Sequence, residues 1–208
     1  MKSKINSIYR VNNTQRVLQG DVLTNIDIPI YDDELHLINM EYGVILSQDC
    51  DLNQDYNSRK EITDVSNDKD NLSLNNKMIP SILICPAYLA EQLRKGTHLK
   101  SLNQPMVKIS NSKKTPWKKI MQNETPHYHF LNKSDEFEIP ELVLDFKRYY
   151  SVSREYLYSI YPEKYLISLN ELYREDLTNR FHHYHSPILW QGYLDLCRSR
   201  RNCHPPIY

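Results

Sequence analysis

The sequence predicts an α+β fold built on a small β-barrel, with strands early and helices last. Three observations carry this. Short β-rich runs recur through the first two thirds of the chain, and a helical period appears only near its end. No strand–helix alternation of the kind that builds a parallel sheet is present. At 208 residues, 40 % hydrophobic and 25 % charged, the chain has material for one core, and 1–208 is read as a single domain.

The first element is Asp21–Ile30, entered through Gly20, with Tyr31–Glu34 as a turn after it. Gly43–Ser47 is a short aliphatic run and reads as a buried strand. Residues 53–77 are rich in Asn, Asp and Ser without an apolar period, and are expected to be an exposed or disordered loop. Ile79–Cys85 is a further strand that Pro86 should end, followed by a short helix over Tyr88–Leu93. Strands are then expected at Met106–Ile109, at His127–Leu131, at Glu141–Ser151 (the best-defined of all) and at Tyr165–Ser168. A helical turn is expected near Trp117–Ile120.

Residues 170–197 are assigned to C-terminal helices. Asn170 is placed to cap the first, in which Leu169, Tyr173, Leu177, Phe181 and Tyr184 recur at helical spacing. Pro187 then separates it from a second over Ile188–Cys197.

No run is long and apolar enough to span a bilayer, and the start lacks the apolar stretch of a signal peptide. The expectation is a cytoplasmic protein with no membrane partner. Cys50, Cys85, Cys197 and Cys203 are too unevenly spread for a disulfide framework. Cys197, Cys203 and His204 lack a second pair at zinc-finger spacing, so neither a metal nor another cofactor is expected.

Net charge is zero but unevenly distributed. Residues 94–122 form a basic insertion with seven Lys, one Arg and no acid, whereas Asp49–Asp70 holds seven acids against Arg59, Lys60 and Lys69. Lysines neutralise phosphates and an indole stacks on unpaired bases, so Arg94, Lys95, Lys113, Lys114, Trp117, Lys118, Lys119 and Arg148 are the candidate nucleic-acid contacts. The expected partner is RNA, single-stranded DNA or a protein. The other reading of the same segment is a solvated face that covers the acidic loop.

Ser47-Gln48-Asp49-Cys50-Asp51 is the densest set of reactive groups. Cys50 is a candidate nucleophile, with His127 or His129 as base and Asp49 or Asp51 orienting it. Two neighbouring carboxylates oppose a thiolate, and the alternative is a hydrogen-bonded corner with Cys50 packed inward. Asp49, Asp51, His127 and His129 also suit acid–base cleavage of RNA. His127 and His129 share one face of a strand, where a nearby Asp145 would complete three metal ligands. Surface histidines are the simpler reading.

Gly20-Asp21-Val22-Leu23 followed by Gly43-Val44-Ile45-Leu46-Ser47, with Leu144-Asp145-Phe146-Lys147-Arg148 and the helix after Leu169, resembles the MazF/PemK toxin family. That resemblance implies an SH3-like barrel with an enlarged middle. The Ser47-Gln48-Asp49-Cys50-Asp51-Leu52 motif, the Asp145-Phe146-Lys147 strand and the helix Tyr173-Arg174-Glu175-Asp176-Leu177-Thr178-Asn179-Arg180-Phe181 are similar to those of uncharacterised bacterial proteins. Glu41-Tyr42 stands where MazF-type ribonucleases carry a basic residue, and Cys85-Pro86 where they carry Thr or Ser. The family's cleavage residues therefore do not transfer. The resulting expectation is a catalytically diverged barrel that binds nucleic acid or a protein partner in a toxin–antitoxin or phage-defence setting. A ribonuclease with a rebuilt site, a Cys50-dependent hydrolase and a subunit of a larger complex are the alternatives.

Overall fold

A computed structural model describes residues 7–31, 34–64, 74–109 and 116–186. Among the described residues, eight strands form one antiparallel sheet: β1 (Tyr9–Arg10), β2 (Asp21–Tyr31), β3 (Leu35–Ile45), β4 (Ser81–Leu89), β5 (Tyr128–Leu131), β6 (Leu142–Asp145), β7 (Tyr150–Ser153) and β8 (Tyr165–Leu169). Their order is β1-β8-β2-β3-β4-β6-β5, with β7 also on β4, and the sheet curls into a half-barrel. The curl brings its ends together, where the Tyr9 hydroxyl on β1 donates to the Asn132 carbonyl just past β5.

β4 organises this sheet. One of its edges pairs with β3 over only three positions, Ile84 to Pro86. Its other edge takes β7 along Ser81–Ile84 and β6 along Ala87–Leu89. β6 and β7 thus act as one strand broken by a 3₁₀ turn at Phe146–Arg148, for which the Asp145 carboxylate accepts from the Lys147 N–H. The single strand expected over Glu141–Ser151 is split there because Phe146 turns inward, fully buried. Nor does Pro86 end β4. It lacks only a donor, and the strand runs on to Leu89 with β6 as its partner.

Alternate side chains of the sheet enter two cores. Val22, Val44, Cys85, Ala87 and Leu144 face the C-terminal helix α5 (Glu171–His185), which contributes Leu177, Phe181 and Tyr184. Asn170 caps α5 as its residue type predicts, accepting from the Glu171 N–H. Leu23, Ile26, Ile28, Ile45, Ile82 and Ile84 face α4 (Arg154–Lys164) through Leu157 and Tyr161. The second predicted C-terminal helix, Ile188–Cys197, lies outside the described residues.

The loop expected over 53–77 is replaced at its start by α1 (Asp49–Asp64). Its inward positions Leu52, Asp55 and Ser58 follow at three-residue spacing, but only the first is apolar, so hydrophobic periodicity does not show it. Asp55 is buried and accepts from Arg59, from Arg154 of α4 and from the Ile79 N–H, tying α1 to the sheet. Burying a carboxylate is costly unless it is paired, and two guanidiniums pair it.

The basic insertion folds back on β4. α2 (Ala90–Lys95) ends at Gly96, whose φ of 72° is the left-handed geometry of a helix stop. The expected strand at Met106–Ile109 is instead an extended tail, with its Met106 and Ile109 N–H groups donating to Gly96 and Arg94. α3 (Pro116–Met121) closes a small third core in which Leu93, Ile120, Phe130 and Val143 meet.

A Cβ at Gly96 would stand 2.1 Å from the Met106 carbonyl oxygen, a backbone atom. Gly96→Ala is therefore expected to cost about 2–4 kcal/mol, combining left-handed strain with overpacking. Chemical denaturation of the variant checks this, and an unchanged midpoint would contradict it.

Candidate functional site

Gly20 and Asp21 form a tight corner. Gly20 adopts φ 81°, donates to the Ile45 carbonyl and accepts from the Leu169 N–H, so it bridges β3 and β8. Asp21 is fully buried. Its carboxylate accepts from the Leu18 N–H at 2.7 Å, from the Tyr161 hydroxyl at 2.6 Å and from the Ser168 hydroxyl. Burial pushes its pKa up to about 6, although these three donors pull the other way. The Gly-Asp signature at the head of β2 is thus a structural knot joining loop, strand and α4.

The Ser47–Asp51 motif lies beside this knot. Ser47 accepts from the Leu83 N–H, and Asp49 opens α1. Arg16 holds Asp49 with two hydrogen bonds of 3.0 Å, and Arg174 of α5 stands 3.6 Å away. Burial works to raise the Asp49 pKa, but the two hydrogen bonds and charge of Arg16, with the charge of Arg174, outweigh it and hold the carboxyl below its ordinary value. Arg174 belongs to the Tyr173–Phe181 motif, so the two motifs meet through this ion pair. The sequence offers no signal for Arg16.

Cys50 and Asp51 are exposed at the first turn of α1. The Cys50 thiol lies 3.5 Å from Gln48 Oε1 and 3.6 Å from Asp51 Oδ1, so it does not pack inward. An open cleft of about 420 Å³ runs between Asp49, Cys50, Gln48 and the α5 residues Glu175 and Thr178.

The histidines stand elsewhere. His129 is buried on β5, its ring stacked 6.2 Å from Phe146, with Nδ1 4.0 Å from Asp176. Burial, helped by Arg180, lowers its pKa to about 3, so it is neutral at ordinary pH. His127 sits just before β5 with its ring against Tyr128, and burial followed by Lys147 lowers its pKa. Among the described residues, no hydrogen bond or ion pair joins either histidine to Asp49, Cys50 or Asp51. Arg174 and Asp176, which touch Asp49 and His129 respectively, point about 200° apart around α5. Asp145 is on the strand paired with β5, opposite Tyr128, and burial raises its pKa. No three His, Cys, Asp or Glu side chains among the described residues gather as a metal ion requires.

The candidate nucleic-acid contacts divide into two groups. Lys118 and Lys119 are exposed on α3, and Lys100 and Lys108 are exposed on the preceding segment. Lys95 is exposed but pairs with Glu91 at 2.6 Å, and Arg94 is half-buried with its carbonyl engaged by Ile109. Arg148 is held by Asp145 at 3.6 Å and Gln104 at 3.1 Å. Trp117 turns its ring edge-on to Phe130 at 6.2 Å in the third core, instead of standing free as a stacking platform. Lys113 and Lys114 lie outside the described residues.

The elevated Asp21 pKa has a measurable consequence. Folding favours its protonated form, so its contribution to stability falls as pH rises from about 4 to about 6. His129, with its depressed pKa, acts with the opposite sign over part of that range and loses stability as pH falls below about 6.5. The Asp21 contribution is therefore read as the difference between wild type and Asp21→Asn, whose carboxamide does not titrate. Denaturation free energies should converge toward the variant's favour by about 2–3 kcal/mol between pH 4 and 7. A pH-independent difference would refute it.

Among the described residues, no helix is long and apolar enough to cross a membrane. Compared with family models, curated proteins and solved structures, the chain matches none.

Proposed function

We propose that this protein is a non-catalytic module that binds single-stranded nucleic acid through its basic insertion. One observation carries the reading. Residues 94–122 contain no acid, and the exposed Lys100, Lys108, Lys118 and Lys119 form no ion pair among the described residues. Ammonium groups left solvated in this way can release counterions from a phosphate chain, which is the main source of affinity in sequence-independent binding.

Two of the groups with catalytic potential are committed elsewhere. Asp49 is clamped by Arg16, and His129 is enclosed and neutral. A half-barrel carrying an insertion and a closing helix agrees with an SH3-like, MazF/PemK-like fold, in which a toxin–antitoxin or phage-defence role is part of the same proposal.

Unstructured RNA or single-stranded DNA is expected to bind with a steep salt dependence, measured by fluorescence anisotropy between 50 and 200 mM salt. Replacing Lys113, Lys114, Lys118 and Lys119 with Glu should abolish binding. The Lys118→Glu, Lys119→Glu pair alone should lower the log–log slope by about 1–1.5. Unaltered affinity in the fourfold variant would end the proposal.

A further inference from the structure

β3 and β4 part company at Gly43 and Pro86. Beyond that point β3 continues with β2, whereas β4 turns to β6, and the wedge between them is bridged by the α2 end of the basic insertion. A cavity of about 270 Å³ fills this wedge. That is small beside the roughly 300–1,000 Å³ of sites for drug-sized ligands and suits a single flat ring system.

Its walls are aromatic. Tyr42, Tyr88 and Tyr150 are each half-buried on the cavity, and His98 meets Tyr88 edge-on with ring centroids 4.8 Å apart. Gln92 and Ser101 add side chains that both donate and accept hydrogen bonds, as the edge of a heterocycle requires.

His98 is the second, independent sign of a ligand. It is only 8 % exposed, and neither ring nitrogen has a hydrogen-bond partner among the described residues. Buried polar atoms are nearly always paired, and an imidazole orphaned at both nitrogens on a cavity wall is paired most simply by an occupant.

Charge narrows the occupant's chemistry. Arg148 lies close enough to act electrostatically on His98, Tyr88 and Tyr150, although the Asp145 carboxylate that pairs with it acts more strongly on Tyr88, and Lys100 is on the bridging segment. Glu41 is on the rim with its side chain exposed, and it acts on Tyr42. With a guanidinium beside three of the four rings, a quaternary ammonium is disfavoured despite the aromatic walls. A neutral planar ring attached to an anion is favoured, and a nucleotide has that structure.

We infer that the wedge between β3 and β4 takes one unstacked nucleobase, held between the tyrosines and paired to His98. That the base belongs to a polynucleotide rests on the strand-binding reading above. The phosphates on either side of it would then follow the lysines of the insertion, which supplies both His98 and the cations.

Two photoreactive probes test this on the full chain: an unstructured RNA carrying 5-iodouridine, and 5-iodouridine monophosphate. Irradiation cross-links the base to an aromatic ring stacked on it, and peptide mapping locates the adduct. Adducts on Tyr42, Tyr88 or Tyr150 are expected with the RNA. Ser101→Trp, which fills the cavity from its exposed rim, should remove them and weaken RNA binding about tenfold. RNA that binds but cross-links only elsewhere would overturn the base site and leave strand binding intact. Adducts on these tyrosines with the monophosphate alone, lost in Ser101→Trp, would keep the base site and overturn strand binding. No adduct on these tyrosines from either probe would overturn the base site, and RNA that also fails to bind by anisotropy would overturn strand binding with it.

Discussion

The two-sided pairing of β4 is the constraint on which the rest of the structure depends. A central strand must satisfy both edges, and this one does so with three different partners along nine residues. Its change of partner at Pro86 forces the sheet to curl, breaks β6 from β7 at Phe146 and opens the wedge that the basic insertion bridges. Pro86 permits this because its missing N–H leaves no donor to satisfy where β3 departs.

Two buried carboxylates fix the other elements to that sheet by different means. Asp55 is neutralised by Arg59 and Arg154, so α1 and α4 are joined by charge. Asp21 has no cation partner among the described residues and relies on a backbone N–H and two hydroxyls, so burial raises its pKa. The contrast follows from charge compensation: a guanidinium offsets the desolvation of a carboxylate far better than neutral donors do. Asp49, partly exposed and held by Arg16, is the point where the two conspicuous sequence motifs meet.

The candidate site divides in the same way between what a local reading reaches and what it does not. The acid-free character of residues 94–122 is plain in the sequence, because charge is a property of residue type. The placement of Trp117 is not. An indole between lysines reads as a stacking surface, and only the proximity of Phe130, brought by β5, shows that it closes a core. His98 is hidden in the sequence for a related reason. A lone histidine in a basic run carries no signal until Tyr88, ten residues away on β4, is folded against it.

Sequence alone determined the α+β character, the strands of β2, β4 and β8, and the Asn170-capped helix, since each rests on local periodicity or on one capping side chain. It concealed α1, whose buried face has one apolar residue beside two polar ones, and α4, whose tyrosines bury rings while their hydroxyls stay hydrogen-bonded. Tertiary structure decided which reactive groups meet. Asp49 found Arg16 and Arg174, while His129 of β5 was carried to another side of α5. Convergence in space depends on strand order and on the turns between elements, and neither is written in the spacing of residues along the chain.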